Sequence, residues 1–558
     1  MEIRPISPSF AAAPQIGPED VPGIAAAGYK TIVCNRPDGE ADNQPRAAQI
    51  AEAARAAGLE YRFLPIRPGR MTPEAVARFD EVLKTCKGPI LAYCRTGNRS
   101  SSVWALARAR LLSPQAILAA TAQAGYDLEG LKPLLDEAFG APVGSTEPVR
   151  YDVLVIGGGA GGIAAAASLL KRRQGLKLAI VEPSEHHDYQ PGWTLVGAGL
   201  LDRADTVRRT ADILPKGAKW IRGAVASFDP DTSEVTLEDG ARFGYRVLLV
   251  APGLKLDWDA VPGLRETLGE HGVTSNYRGE LAPYTRDLVR GMRSGRALFT
   301  APPLPYKCPA APHKALFMSA DTWRRAGVLD EIDVTFCTAA ERFFHVPAFA
   351  PALDGYARRY GVNIACGHTL VAVDGPARRA TLQTGDGAQV EHPFDMLHVS
   401  PPQAPLDVVA GSPLADAQGW VDVDPGTLRH TRFDNIFGLG DGCSTPNAKT
   451  AAAVRKQAPV AAVNALATLD GTALPARYDG YGSCPVTVER GKVVLAEFGY
   501  DGAPLPSLPT WLIDGTRPSH LAWMLKERLF PPIYWQGMFK GREYLAGPQM
   551  TFRPVAQD

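Results

Sequence analysis

The stretch Tyr151 to Glu182, YDVLVIGGGAGGIAAAASLLKRRQGLKLAIVE, constrains this chain more than any other. It compresses strand, glycine turn, helix and second strand into about thirty residues. Asp152 to Ile156 is a short apolar run suited to a buried parallel strand, and Gly157, Gly159 and Gly162 fill the three positions of G-x-G-x-x-G. The first glycine permits the tight turn, the second lets a pyrophosphate approach the backbone, and the third lets the helix expected from Ile163 pack on the strand. That helix would turn unpaired N–H groups and a positive dipole end towards phosphate. Glu182 closes the second strand, Leu178 to Val181, where an acid can accept hydrogen bonds from a ribose hydroxyl. A dinucleotide cradle in a parallel α/β sheet is the expectation.

At 558 residues the chain exceeds one hydrophobic core, so two to four domains are expected. Lys+Arg and Asp+Glu both number 59, with no basic run, which excludes a nucleic-acid partner. A charged-then-apolar start is missing, as is an apolar run long enough to span a bilayer, so the expected location is cytoplasmic. Eight cysteines in so long a chain make no disulfide framework, and none has zinc spacing, so no metal is expected. Any cysteine that matters should be catalytic or redox-active.

Residues 1–138 read as a separate β-α-β-α-β-α unit, with strands at Lys30 to Cys34, Glu60 to Pro65 and Pro89 to Cys94 and helices at Pro45 to Ala57 and Pro73 to Cys86. The last strand runs into CRTGNRSS, Cys94 to Ser102. There Cys94 and Arg99 bracket a turn at Gly97 whose backbone N–H groups would lower a thiol pKa. Cys34 and Cys86 read as packing residues. Through CNRPDGE (Cys34 to Glu40) and YCRTGNRS (Tyr93 to Ser100), this segment resembles phosphatase-like domains found beside sulfide-oxidising enzymes. Four residues separate Cys94 from Arg99, whereas cysteine phosphatases have five; the loop is closer to the rhodanese pattern C-x-x-G-x-R. LPIRPGR also lacks the general-acid aspartate of a phosphatase. The resemblance implies sulfur transfer through a Cys94 persulfide, with phosphate ester hydrolysis and a vestigial anion loop as alternatives. Residues 139–150, rich in Gly, Pro and Ser, read as a linker.

Beyond Glu182, PSEHHDYQPGWTLVGAGL reads from its residues alone as a loop whose adjacent His186 and His187 are solvated rather than metal-bound. Tyr245 to Gly253, YRVLLVAPG, reads as an apolar strand ending in glycine. RALFT (Arg296 to Thr300) and DVTFCT (Asp333 to Thr338) supply strands of a second nucleotide-type domain, yet the turn between them, APPLPYKCPAAPHK, has no glycine cradle for NAD(P)H. It carries Cys308, beside Lys307 and before a helix expected near His313, a setting that favours a thiolate. Cys337 and Cys366 read as core, and Cys443 as packing. NIFGLGDG, Asn435 to Gly442, delivers Asp441 after a tight turn, and the helix expected from Lys449 would point its N-terminus at the same place. YDGYGSCPVTVERGKVVLAEFGYDG, Tyr478 to Gly502, reads as a loop and hairpin holding Cys484.

These segments together resemble sulfide:quinone oxidoreductases of the mitochondrial type. Glu182, Tyr189, Gln190, Pro191 and Trp193 fall on the stretch that walls the flavin, K-C-x-x-A-P on Lys307 to Pro312, and D-G-Y-x-S-C-P on Asp479 to Pro485. The resemblance implies FAD held by the glycine turn, Glu182, Gln190, Trp193, Gly253, Asp441 and Lys449. It also implies Cys308 and Cys484 as the redox pair, hydrogen sulfide as substrate, a quinone as electron acceptor, and a thiol such as glutathione as sulfur acceptor. The implied architecture is an FAD domain at about 151–280 and 400–504, an inserted Rossmann-like domain at about 281–399, and a C-terminal region 505–558. That last region, rich in aromatic and basic residues at i, i+3, i+4 spacing, reads as an interfacial segment lying peripherally on the inner membrane, or as a helix docked on the protein's own core. An NADH:quinone flavoprotein and a flavin-bearing sulfur sensor are the alternatives.

Overall fold

The computed structural model describes residues 2–69, 71–109, 112, 114–135 and 148–551. Most of the expected linker, 139–147, lies outside the described residues, as do the last seven residues of the tail. The chain divides into two compact units, Met1–Pro148 with Leu237–Arg242, and Val149–Thr236 with Phe243–Asp558.

The first unit is built on a five-stranded sheet, β1 (Arg4–Ser7), β2 (Phe10–Ala13), β3 (Thr31–Cys34), β4 (Glu60–Phe63) and β5 (Ile90–Tyr93), in the order β1-β2-β5-β3-β4. The three expected strands are its parallel half. The antiparallel β1–β2 hairpin was not anticipated, because FAAA offers no alternation and is buried at all four positions. Helices Ala47–Ala56, Pro73–Thr85 and Asn98–Arg108 cover the sheet. Successive residues of β5 point to opposite cores, Ala92 to one containing Trp104 and Phe79, and Leu91 and Tyr93 to one containing Ile24 and Ile50.

In the second unit, β6 (Val149–Ile156) lies between β7 (Leu178–Val181) and the strand Arg242–Val250, all parallel, with Ile436–Gly438 joining the far end of Arg242–Val250. Val149 and Arg150 already pair with Phe243 and Gly244, so the expected linker ends earlier than residue 150. A second parallel sheet follows the order Val273–Thr274, Met396–Val399, Gly295–Ala301, Ile332–Thr338, Asn363–Cys366. Val273–Thr274 therefore belongs to this sheet and not to the first, as the 281 boundary had implied.

The hairpin Gly482–Glu489 with Lys492–Phe498 is also placed differently from expectation. Its inward residues Cys484, Val486, Val494 and Ala496 join the core of the second sheet, against the helix Ala311–Arg325. Its alternating apolar residues bury about 1.5–3 kcal/mol each against that helix.

The tail runs through mixed helical turns from His520 to Lys540. One face is core: Trp523 packs with Leu495, while Tyr534, Met538 and Phe539 join the core of the first sheet. Glu543 accepts from Ser168 Oγ at 2.7 Å and pairs with Arg172 at 2.7 Å, and Lys171 Nζ donates to Gly541 O at 3.0 Å, tying the tail to the helix Ala160–Arg172. The other face is apolar and exposed: Trp511 is 84% accessible and Leu545 66%, with Leu512, Leu521 and Leu529 also open. Among the described residues no helix is long and apolar enough to cross a membrane.

Candidate active site

Gly157 has φ +97°, and a Cβ there would lie 2.3 Å from Ala251 O. At Gly162 a Cβ would lie 1.9 Å from Gly157 O, so the helix, which begins at Ala160, can approach the turn only without a side chain there. A Cβ at Gly159 would meet nothing within 4 Å, because that backbone faces open space. The space is a cavity of about 660 Å³, lined in part by Gly157, Gly159, Glu182, Gln190, Trp193 and Gly253. Asp441, Lys449 and Cys308 share the same wall, whereas Gly162 sits beneath it. Among the described residues, no group of three His, Cys, Asp or Glu side chains could hold a metal ion.

The polar groups around this cavity are arranged for a large polar ligand. Glu182 accepts from the N–H groups of Gly158 and Ser184, both at 2.7 Å, which holds the acid against the turn. Burial raises the Asp441 carboxyl above the ordinary carboxylate range, while Lys307 and Lys449 pull it down. Lys449 Nζ donates to the carbonyls of Asp441 and Cys443 at 2.8 Å and stands 4.1 Å from the Trp420 ring, bracing the turn from behind. The buried Trp193 Nε1, Thr194 Oγ1 and Asn276 Oδ1, from cavity-lining residues, have no partner within the protein. Buried polar atoms left unpaired are costly, so a ligand with matching groups fits here.

Cys308 has φ +49° and lies three residues before the helix Ala311–Arg325. Its backbone is fixed on both sides: its N–H donates to Lys449 O at 2.8 Å, and its carbonyl accepts from Ala311 N at 2.7 Å and Tyr277 Oη at 3.1 Å. Cys484, from the hairpin, is fully buried, and its thiol and that of Cys308 act on each other's protonation. Cys484, with the charge and hydrogen bond of Lys314, holds the Cys308 thiol well below its usual range; Cys484 is pushed correspondingly up by Cys308 and by burial. Both thiols are free.

The lysine that reaches the sulfur is not the sequence neighbour. Lys307 turns its ammonium to Gln190 Oε1 at 2.7 Å and over Trp193, whereas Lys314 Nζ donates to Cys308 Sγ at 3.2 Å. A second lysine comes from the tail. Lys526 is buried, donates to Pro485 O at 3.0 Å beside Cys484, and is pushed well below the usual lysine range by burial and by Lys314. The mean spacing of apolar residues in the tail gave no sign of this inward lysine.

His187 corrects a further expectation. His186 is exposed, but His187 is buried, with Nδ1 3.2 Å from Gly158 O and Nε2 2.7 Å from Tyr534 Oη, amid Tyr189, Trp535 and Phe539. Burial pushes it down to about 4, so it is neutral and links the glycine turn to the tail. The core reading of Cys337 and the packing reading of Cys443 agree with their burial, and Cys443 Sγ donates to Gly440 O at 3.1 Å; Cys366, also read as core, is only part-buried because its strand, Asn363–Cys366, is the edge of the second sheet.

Cys94 and Arg99 lie in the first unit. Cys94 follows β5 and is buried; Gly97, at φ +90°, caps the helix Asn98–Arg108 and donates its N–H to Cys94 Sγ at 3.2 Å. Arg99 makes a two-pronged pair with Glu40 at 2.8 and 2.7 Å and donates to Ile66 O, while Arg36 grips the other side of Glu40 at 2.9 Å. Glu40 is the residue of this loop that sequence reasoning missed, although it sits within CNRPDGE. Cys34 donates to Arg36 O at 3.2 Å and, buried, is a packing thiol.

A glycine cradle opening on a cavity with a thiol pair defines a disulfide-oxidoreductase type of flavoprotein fold, and the pyridine nucleotide-disulphide oxidoreductase family matches residues 151–289. The chain is 41% identical over 380 residues to the mitochondrial sulfide:quinone oxidoreductase of Dictyostelium discoideum, covering 68% of this chain and 83% of that protein. The chain belongs to the sulfide:quinone oxidoreductase family. The solved sulfide:quinone oxidoreductase from Aquifex aeolicus shares its fold, with a TM-score of 0.58 at 20% identity over 70% of this chain and 92% of that one. Residues 2–111 match the phosphatase-like domain of beta-lactamase hydrolase-like proteins. The protein of that description from Agrobacterium fabrum is 36% identical over 90 residues, which are 16% of this chain and only 21% of the relative.

Proposed function

We propose that the second unit binds FAD and oxidises hydrogen sulfide to sulfane sulfur, passing the electrons to a quinone. The observation that carries this reading is Cys308 at the wall of the cavity that holds the glycine turn, with Lys314 Nζ donating to its sulfur at 3.2 Å and the Cys484 thiol coupled to it. Gly157, Gly159, Glu182, Gln190, Trp193, Gly253, Asp441 and Lys449 would hold the cofactor. Bound FAD supplies a two-electron acceptor for the sulfur and a donor for the quinone.

The chain's own residues account for the sulfur step. In the oxidised pair, hydrosulfide attacks Cys484 Sγ; the Cys308–Cys484 S–S bond breaks, Cys484 keeps the new sulfur as a persulfide, and Cys308 leaves as a thiolate. Leaving is faster for the sulfur of lower pKa, and Lys314 marks Cys308 as that sulfur. The turn at 302–310 has no glycine cradle, which favours sulfide over NADH as the electron source.

The tail supports a peripheral membrane role. Its exposed Trp511, Leu512, Leu521, Leu529 and Leu545 form an apolar face, and its inner side lines the cavity with Leu525, Leu529 and Phe530. A quinone dissolved in lipid would then reach the cavity along the tail. The test is purified protein mixed with sulfide and a soluble quinone. Sulfide bleaches the flavin of the wild type, and Cys308→Ser and Cys484→Ser each abolish turnover with FAD retained. Bleaching by NADH with none by sulfide overturns the reading.

For the first unit we propose sulfur relay through Cys94. Its thiolate attacks the outer sulfur of a persulfide, the S–S bond breaks and the donor thiol leaves; a thiol such as glutathione then takes the sulfur from Cys94. The Gly97 N–H that donates to Cys94 Sγ, and Arg99 fixed by Glu40 in the same loop, support this reading. Full-length Cys308→Ser protein offered glutathione persulfide or an aryl phosphate tests it: Cys94-dependent phosphate release without a Cys94 persulfide in the mass spectrum overturns the relay.

A further inference from the structure

Glu497, Tyr481 and Ser507 all line the cavity, next to the wall made by Leu508, Leu525 and Phe530 of the tail. The sulfur chemistry proposed above uses none of them. Glu497 lies on the inner strand of the Cys484 hairpin, opposite Ser483, and is only 7% exposed. A buried carboxyl is costly unless its oxygens are satisfied. Here Oε1 accepts from Tyr481 Oη at 2.5 Å and Oε2 from the Ser507 N–H at 3.2 Å.

The hydrogen bonds share one direction. Ser507 Oγ donates to Tyr481 Oη at 3.1 Å, and Tyr481 Oη donates to Glu497. Ser507 is half-buried and follows the exposed Pro506, so the chain runs from the surface towards the cavity. Lys456 stands 4.2 Å from the Tyr481 ring and is paired with Asp479 at 3.3 Å, and Tyr481's own N–H donates to Asp479, which fixes the phenol's position. Burial and the Glu497 charge keep the phenol protonated, so Tyr481 passes protons by relay and does not store charge.

We infer that Glu497 is the proton donor to the quinone, recharged through Ser507 and Tyr481. The inference rests on the proposed function. Converting a quinone to its quinol takes two electrons, which sulfide oxidation provides, and two protons. Glu497 rests as a carboxylate held by the Tyr481 O–H and the Ser507 N–H. A proton from solvent, handed from Ser507 to Tyr481 to Glu497, passes to one quinone oxygen and returns Glu497 to the carboxylate, and a second proton along the same chain goes to the other oxygen. The protons drawn in balance those released when hydrogen sulfide is oxidised.

The test separates proton-coupled from proton-free reoxidation in the FAD-loaded full chain. Each variant is reduced with sulfide in a stopped-flow instrument and then mixed with a soluble quinone or with ferricyanide, which takes one electron and no proton. Glu497→Gln and Tyr481→Phe are expected to slow reoxidation by quinone about 10²-fold, the usual worth of a positioned acid, while bleaching by sulfide and reoxidation by ferricyanide stay at the wild-type rate. Quinone reoxidation of Glu497→Gln at the wild-type rate overturns the inference. So does an equal loss with ferricyanide, which would mark the carboxyl as structural. A wild-type protein that sulfide does not bleach overturns the proposed function itself, before either variant is compared.

Discussion

Lys314 Nζ donates to Cys308 Sγ at 3.2 Å from a position six residues further along the chain. Side chains on a helix tilt towards its N-terminus, so a lysine in the first turns of Ala311–Arg325 reaches back to a residue just before the helix. Removing that charge should free the thiol to climb. In Lys314→Met the midpoint pH for alkylation of Cys308 by iodoacetamide is expected to rise by roughly 1–3 units, the range an adjacent opposite charge commands. An unchanged midpoint would leave the neighbouring Cys484 and Lys526 as the causes.

Gly162→Ala tests the cradle. Its added Cβ falls 1.9 Å from Gly157 O, backbone that cannot swing aside. The expected result is a loss of about 1–3 kcal/mol in denaturant stability together with loss of bound flavin, read from the absorbance ratio. Gly159→Ala, facing open cavity, should keep its stability and lose only the cofactor.

His187, His313 and His398 are each pushed down to about 4 by burial, below the 6.5 of an unfolded histidine. Between these values the unfolded chain binds more protons than the folded one. The stability they contribute is therefore complete above about pH 6.5 and is lost as the pH falls towards 4, with a ceiling of about 1.4 kcal/mol per pH unit for each histidine. Urea melts taken from pH 7.5 down to 4.5 should show a plateau and then this decline; a flat profile would mean that these rings are solvated.

The exposed face of the tail can be tested without deleting its core. Truncation at 505 would strip Trp523, Tyr534 and Phe539 from the interior and so confuse unfolding with detachment. Trp511→Ser combined with Leu512→Ser changes only open side chains away from the cavity. Vesicle flotation should fall by about tenfold or more, since each large apolar side chain is worth about 1.5–3 kcal/mol when removed from water. Undiminished flotation would place the membrane contact elsewhere.

What could be read before folding was whatever neighbours in sequence enforce on each other. The Gly157–Gly162 turn, β7 and the Asp441 turn are local, and residue pattern alone marks them. The meeting of Cys308 with Cys484 depends on a hairpin packing against the helix Ala311–Arg325, and no periodicity specifies which core a hairpin joins. For that reason the hairpin was assigned to the wrong core although both cysteines were singled out by resemblance. Lys307 stands beside Cys308 in sequence and Lys314 does not, but adjacency says nothing of which way a side chain leaves the turn. His187 and Lys526 were missed for one reason: their burial is created by each other's neighbourhoods, the tail covering the loop and the hairpin covering the tail.

Tyr534 and Met538 belong to the tail's wall of the cavity, and most of the other lining residues precede the tail in the chain. During synthesis the glycine turn, both cysteines and the Asp441 turn leave the ribosome before the tail, so until then the cavity is a trough open along one side. A chain that ends before the tail therefore lacks one wall of this cavity and presents the glycine turn and Cys308 along that side.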